Sequence, residues 1–212
     1  MIFPFLASFI LICIILNFNM RRVSRKVEER EQNFWDRELA SNNVRKKSLD
    51  SLEYVHIPFD QLPFGTAEEN AILQAAEDEI MALKDEKIVN LTGIPNTDLK
   101  LEYGTANITP LTQYDQNYTA LVCSLQKWGQ ELYDQCRYED ATKVLEFAVK
   151  TRTDITGTYR LLADMYRTKL GYNEEEIKKK IDALIPIAKN LNSLSRMTIL
   201  KIIDPPKEEE EK

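Results

Sequence analysis

The side chains most used in nucleophilic catalysis and metal binding are scarce: the 212-residue chain has one histidine, His56, and three cysteines, Cys13, Cys123 and Cys136. Such chemistry needs these groups clustered, with a base beside the nucleophile or ligands at a fixed spacing. The sequence has no such cluster, no Gly-rich phosphate loop and no nucleophile-base signature. His56 stands between Val55 and Ile57 without a Cys or carboxylate motif and reads as a packed or surface residue. Glu139 with Asp140, and Glu176 with Lys179 or Lys180, read as solvated helix faces. The expectation is a non-catalytic protein with no cofactor, no metal and no small-molecule substrate.

Composition narrows the class further. Hydrophobic residues make up 43%, charged residues 29%, and there are only six glycines, which describes a folded, helix-leaning chain and excludes collagen-like, disulfide-rich and low-complexity classes. A net charge of -6 argues against nucleic acid, because a phosphate backbone is held by clustered Lys and Arg. Length allows one main domain with appendages.

Residues 1–20 carry no charged side chain, and Ile2, Phe3, Phe5, Leu6, Phe9 to Ile12 and Ile14 to Leu16 suit hydrocarbon. At about 1.5 Å per residue, 20 residues just span a bilayer core of about 30 Å. A cleaved signal peptide would need a basic segment before the apolar run and a small-x-small site after it; neither is present. Arg21, Arg22, Arg25 and Lys26 follow the run instead. The positive-inside rule then predicts a single-pass membrane anchor with the C-terminal part cytoplasmic. Three N-x-T triplets, at Asn90, Asn107 and Asn117, would be glycan acceptors only under the opposite topology. Cys123 and Cys136, read on one continuous helix, stand about 20 Å apart and cannot bridge, so they are expected as buried or half-buried thiols.

Beyond the anchor, Val23, Val27, Phe34, Trp35 and Leu39 form a thin apolar stripe on a charged juxtamembrane helix over residues 21–50. Residues 54–65 hold two prolines and alternate apolar with polar residues, which predicts an extended strap. A helix is predicted from Thr66 to about Lys84, opened by a Thr66–Glu69 capping box, with Ile72, Ala75, Ala76, Ile80 and Leu83 on one face. A shorter helical turn with Ile88, Val89 and Leu91 is predicted to end at Gly93, and a short helix or turn to cover 97–103. Strap and capping helices fill residues 51–112, a helical repeat 113–204, and a solvated acidic tail 205–212.

The repeat rests on Leu125, Trp128, Gly129 and Leu132, followed by Cys136, Tyr138, Ala141, Leu145 and Ala148. A small residue at Gly129 lets its helix approach the partner closely, while the large residues fill the space between two antiparallel helices. The first signature returns 34 residues on as Tyr159, Leu162, Ala163 and Tyr166. Over residues 117 to about 190 the pattern resembles the tetratricopeptide repeat, with Cys136 where that family has Gly and Thr153 where it often has Pro. Pro186 is predicted to end or kink the last repeat helix, and a capping helix to begin at Ser193.

The fold class is thus all-α: a transmembrane helix and stalk, then an array of helical hairpins with capping helices. The resemblance implies that the first helices offer a concave surface to a protein or peptide segment. Carried onto this chain, its outward positions are Gln126, Gln130 and Tyr133, then Arg160, Asp164 and Arg167. Arg160 and Arg167 would pair an acidic peptide and Tyr133 would stack. Two functions follow as expectations: a membrane-tethered adaptor using this surface, or an accessory subunit assembled through its anchor and the Phe34–Trp35 stalk. An anchored extracytoplasmic binding domain is the alternative if the topology is reversed.

Overall fold

The computed structural model describes residues 3–66 and 70–205, with side chains from Ser8 onward. Among the described residues the architecture is all-α: helices carry the fold, and the only β pairing is one isolated antiparallel bridge, Tyr54 with Val89. The chain divides into two compact units, one of residues 1–48 with 95–108, the other of residues 49–94 with 109–212.

The first unit holds α1 (Phe3–Asn42) and α3 (Asn96–Tyr103). The stalk is therefore not a separate element: one 40-residue helix runs through it. Among the described residues no helix is long and apolar enough to cross a membrane. The apolar run predicted to span one begins outside the described side chains, and residues 8–20 rise only about 20 Å. The end of α1 is clamped to α3. Arg37 pairs with Asp98, Lys100 with Glu38, and Thr97 donates to Glu38 at 2.7 Å. The Lys100 ammonium, with the Thr97 hydroxyl, holds the Glu38 carboxyl below its ordinary range. Gly104, at φ 88°, lets the chain pass the Arg45–Lys46 backbone, where a Cβ would meet the Arg45 carbonyl oxygen at 2.4 Å. Asn107 donates to the Lys47 and Tyr103 carbonyls, both at 2.7 Å, and closes this unit.

The second unit is a helical stack. Its helices are α2 (Ala71–Met81), α4 (Ile108–Asp134, its first residue in the other unit), α5 (Tyr138–Lys150), α6 (Thr156–Asp164), α7 (Glu174–Lys189) and α8 (Arg196–Ile203). α4 and α5 form a hairpin about the turn at 135–137. A Cβ on Gly129 would lie 2.3 Å from Leu145 Cδ2, so the two helices touch where the glycine removes the side chain. All eight positions of the 34-residue pattern are buried, from Leu125, Trp128, Gly129 and Leu132 to Tyr159, Leu162, Ala163 and Tyr166, as are Ala141, Leu145 and Ala148.

Two helix ends share one device. After α4 the Cys136 N–H reaches the Tyr133 carbonyl and the Arg137 N–H the Leu132 carbonyl; after α5 the Arg152 N–H reaches Val149 and the Thr153 N–H reaches Ala148. Both are Schellman caps, which place their turning residue in the left-handed region. Here those residues are not glycine: Cys136 has φ 60° and Arg152 φ 65°.

Several local expectations are corrected. α2 begins at Ala71, not Thr66: Asn70 is the N-cap, accepting from the Ile72 and Leu73 N–H groups at 2.9 and 3.0 Å, while the Thr66 hydroxyl turns back to the Pro63 carbonyl. The capping-box partner Glu69 lies outside the described residues, as does the tail from residue 206. Residues 87–90 are extended rather than helical, because the strap holds them: the Val55 N–H donates to the Ile88 carbonyl at 2.9 Å, and Val89 pairs with Tyr54. α7 passes through Pro186 and ends at Lys189. Cys123 and Cys136 are exposed, not buried. Cys123 faces away from a helix whose Leu121, Val122 and Leu125 turn inward, and Cys136 lies in the turn after α4.

The strap is extended only up to Pro58; residues 59–65 turn instead, with the Gln61 and Leu62 N–H groups returning to the Pro58 carbonyl, and this end packs by aromatic contact, Phe59 on Phe64 at 5.3 Å and Phe64 on Trp128 at 4.8 Å between ring centroids. Arg137 fixes the strap by donating to the Thr66 carbonyl and hydroxyl. Asn70 does the same for α2 by donating to Glu131 at 2.8 Å. His56 is exposed on the strap.

Candidate functional site

The sequence places the candidate surface on the first helices, α4 and α6, and those helices meet along a seam. Gly157 leaves room there: a Cβ would lie 2.9 Å from Gln126 Nε2. Into that space Gln126 brings Oε1, which accepts from the Thr158 hydroxyl at 2.6 Å. Two turns along, the Tyr133 hydroxyl donates to Asp164 Oδ2 at 2.5 Å, and the Thr168 hydroxyl donates to the other carboxylate oxygen at 3.1 Å. The Asp164 hydrogen bond pushes the Tyr133 hydroxyl up to about 12, since an anionic acceptor favours the protonated phenol. The Tyr133 ring stands edge-on to Tyr138, 5.4 Å between centroids. Lys169 lies 5.9 Å above the Tyr138 ring.

Of the six residues read from sequence, the structure thus joins Tyr133 to Asp164 and sets Gln126 on Thr158. Gln130 stays within its own helix, donating to Asp134 at 3.0 Å. Arg167 turns elsewhere: its guanidinium donates to the Ile202 and Ile203 carbonyls at the end of α8. Arg160 is exposed on α6. The seam therefore presents a neutral row, one engaged carboxylate and one outward cation, not a pair of open arginines.

A cavity of about 590 Å³ lies between α5 and α7, floored by Val149, Leu184 and Ile187. At its rim Glu146 accepts from the Tyr166 hydroxyl at 2.7 Å and from the Lys180 ammonium at 2.8 Å. Burial, then the Glu146 carboxylate, pushes the Tyr166 hydroxyl far up; the Glu146 hydrogen bond also raises Lys180 against the opposing effect of desolvation. Sequence reasoning passed over this pair by grouping Lys180 with Glu176. The signal was present: Glu146 and Lys180 are 34 residues apart, the same spacing as that between Leu125 and Tyr159. Glu176 instead closes a capping box with Asn173 at the start of α7.

Among the described residues no three His, Cys, Asp or Glu side chains come close enough to hold a metal ion. The N-x-T asparagines are tied into the fold. Asn107 and Asn117 are buried, and Asn90 donates to the Tyr118 hydroxyl at 2.8 Å and to the Thr151 carbonyl at 3.2 Å. A glycan on any of these nitrogens would displace the hydrogen bonds it makes. No family model, no curated protein and no solved structure matches this chain.

Proposed function

We propose that the chain is a membrane-tethered, non-catalytic interaction protein, anchored through residues 1–20 and offering a protein or peptide segment the first-helix surface of a tetratricopeptide-like stack. One observation carries the tether. From Phe9 to Met20 the apolar side chains are exposed on every side of a continuous helix, an apolar cylinder that none of the described residues covers. In water this costs about 25 cal/mol for each Å² of apolar surface, and a bilayer removes the cost. Arg21, Arg22, Arg25 and Lys26 follow directly, which supports a cytoplasmic C-terminal part.

Native thiols supply the topology test. Cys123 and Cys136 are exposed, so an impermeant thiol reagent applied to intact cells is expected to leave them unlabelled until lysis. Labelling before lysis refutes the cytoplasmic placement. For the binding surface, Arg160→Glu is the informative variant, since changing Arg167 also removes a contact to α8. Pull-down partners that depend on this surface are lost in Arg160→Glu and retained when residues 8–15 are made polar. The opposite pattern would favour an accessory subunit assembled through its anchor.

A further inference from the structure

We infer that α1 is a homodimerisation helix, pairing in parallel with α1 of a second copy of this chain along the seam Phe9, Cys13, Leu16, Met20, Val23, Val27 and Phe34. The inference takes a common orientation of the two copies from the proposed tether. The spacing runs 4, 3, 4, 3, 4 and then 7, the alternation of core positions in a heptad seam, over almost four heptads. Residues so spaced stay on one side of the helix and can face a partner helix through a left-handed supercoil. Every apolar residue of the seam is exposed, between 47% and 65%, on a helix whose described contacts with the fold lie at its far end, on α3 and Thr105.

Charge selects the occupant and its direction. In the heptad set by this seam, Lys26 and Glu31 take the two positions flanking the core that face each other across a parallel, in-register pair, five residues apart. Each copy's Lys26 then meets Glu31 of the other, twice by symmetry. An antiparallel pair centred at Lys26 would set Lys26 against Lys26, one centred nearer the N-terminus would lay the charged turns 21–31 beside the apolar turns 8–20, and one centred further along would carry the two tethered ends apart. Arg30 occupies the single core position that is not apolar between Phe9 and Phe34. Its aliphatic stem covers the seam while its guanidinium reaches Glu31 of the second copy, a polar core residue of the kind that fixes register at some cost in stability.

Cys13 makes the seam testable. The full-length chain with Cys123→Ser and Cys136→Ser, in detergent micelles and in lipid vesicles, is treated with copper-phenanthroline, which oxidises the two thiols to one disulfide. A Cys13-linked dimer is expected. Moving the thiol to the opposite side of the helix, by Cys13→Ser with Leu11→Cys, should reduce linkage at least about tenfold, because two residues turn a helix by about 200°. Lys26→Glu and Glu31→Lys should each weaken dimerisation, measured by energy transfer between labelled chains, by about three- to tenfold, and their combination should restore it. Equal linkage at both thiol positions, a chain monomeric at micromolar concentration, or a double variant no better than the singles overturns the proposal. Failure to float with vesicles would refute the tether alone, since the micelle measurement does not depend on it.

Discussion

Gly129→Ala reports on how closely α4 and α5 approach. In an exposed helix interior, replacing Gly by Ala stabilises by about 1 kcal/mol, from backbone propensity alone. At Gly129 the new methyl would lie 2.3 Å from Leu145 Cδ2 and 2.5 Å from its Cγ, and Leu145 is fully buried. Inserting a methyl into a packed core costs about 1–3 kcal/mol, and the upper half of that range applies because the clash is with a branched carbon. The net expectation is a loss of about 1–2 kcal/mol, or about 2–8 °C in Tm for a unit of this size. Gly157→Ala is the internal control. Its Cβ meets only the end of the flexible Gln126 side chain, so that variant should be within about 0.5 kcal/mol of the parent. Leu145→Ala should be destabilised by about 2–5 kcal/mol by itself. Combined with Gly129→Ala it should lose less than the sum, because the alanine methyl enters the space the leucine leaves. The assay is urea unfolding followed by fluorescence of Trp128, buried beside Gly129, with the exposed Trp35 replaced by Phe. A Gly129→Ala chain as stable as its parent, or strict additivity with Leu145→Ala, would refute the close approach.

Three further outcomes are expected. Cys136→Gly and Arg152→Gly should each stabilise by about 0.5–1 kcal/mol, because a left-handed turn costs an L-residue about 1–2 kcal/mol and the glycine's extra unfolded-state entropy returns only part of that. Chemical denaturation of each single variant measures it, and destabilisation would contradict the Schellman geometry. Tyr133 should ionise near 12 in a spectrophotometric titration and return toward 10 in Asp164→Asn. Its folded value lies above its unfolded one, so this hydrogen bond contributes fully below about pH 10 and is lost as pH rises through about 12. Arg167→Met should remove the donors to the last carbonyls of α8 and speed hydrogen exchange of the amides of residues 199–203, leaving α4 and α5 unchanged.

Local periodicity made the buried faces of these helices readable. Leu125, Trp128, Gly129 and Leu132 with their counterparts at 159–166 define one buried face each, and all eight are buried. Features set by distant partners were not readable. Ile88, Val89 and Leu91 have helical spacing, yet the strap's Val55 N–H takes the Ile88 carbonyl and draws the segment out straight. Asn70 competes with Thr66 as the cap of α2, and its bond to Glu131, 61 residues away, favours it. The candidate positions lie on α4, on α6 and, for Arg167, just beyond it, but their pairing was not readable. Tyr133 and Asp164 are 31 residues apart, and Arg167 finds carbonyls 35 and 36 residues on. Helical spacing says which way a side chain points and nothing of what stands opposite.

The strap bears on how this stack could grow. Phe64 lies against Trp128, and Asn90 reaches the carbonyl that ends α5, so the start of the stack is occupied by residues that precede it in the chain. At the other end α8 packs on both α6 and α7, and Arg167 ties down its last turn. A further helical pair spliced in at the connection 191–195 would part α8 from α6 and α7. There Asn192 donates to the Gly93 carbonyl and Ser193 to Asp154, and both bonds would have to be given up. The helical stack is thus closed by its own chain at both ends, and adding a helical pair would require one of these covers to move.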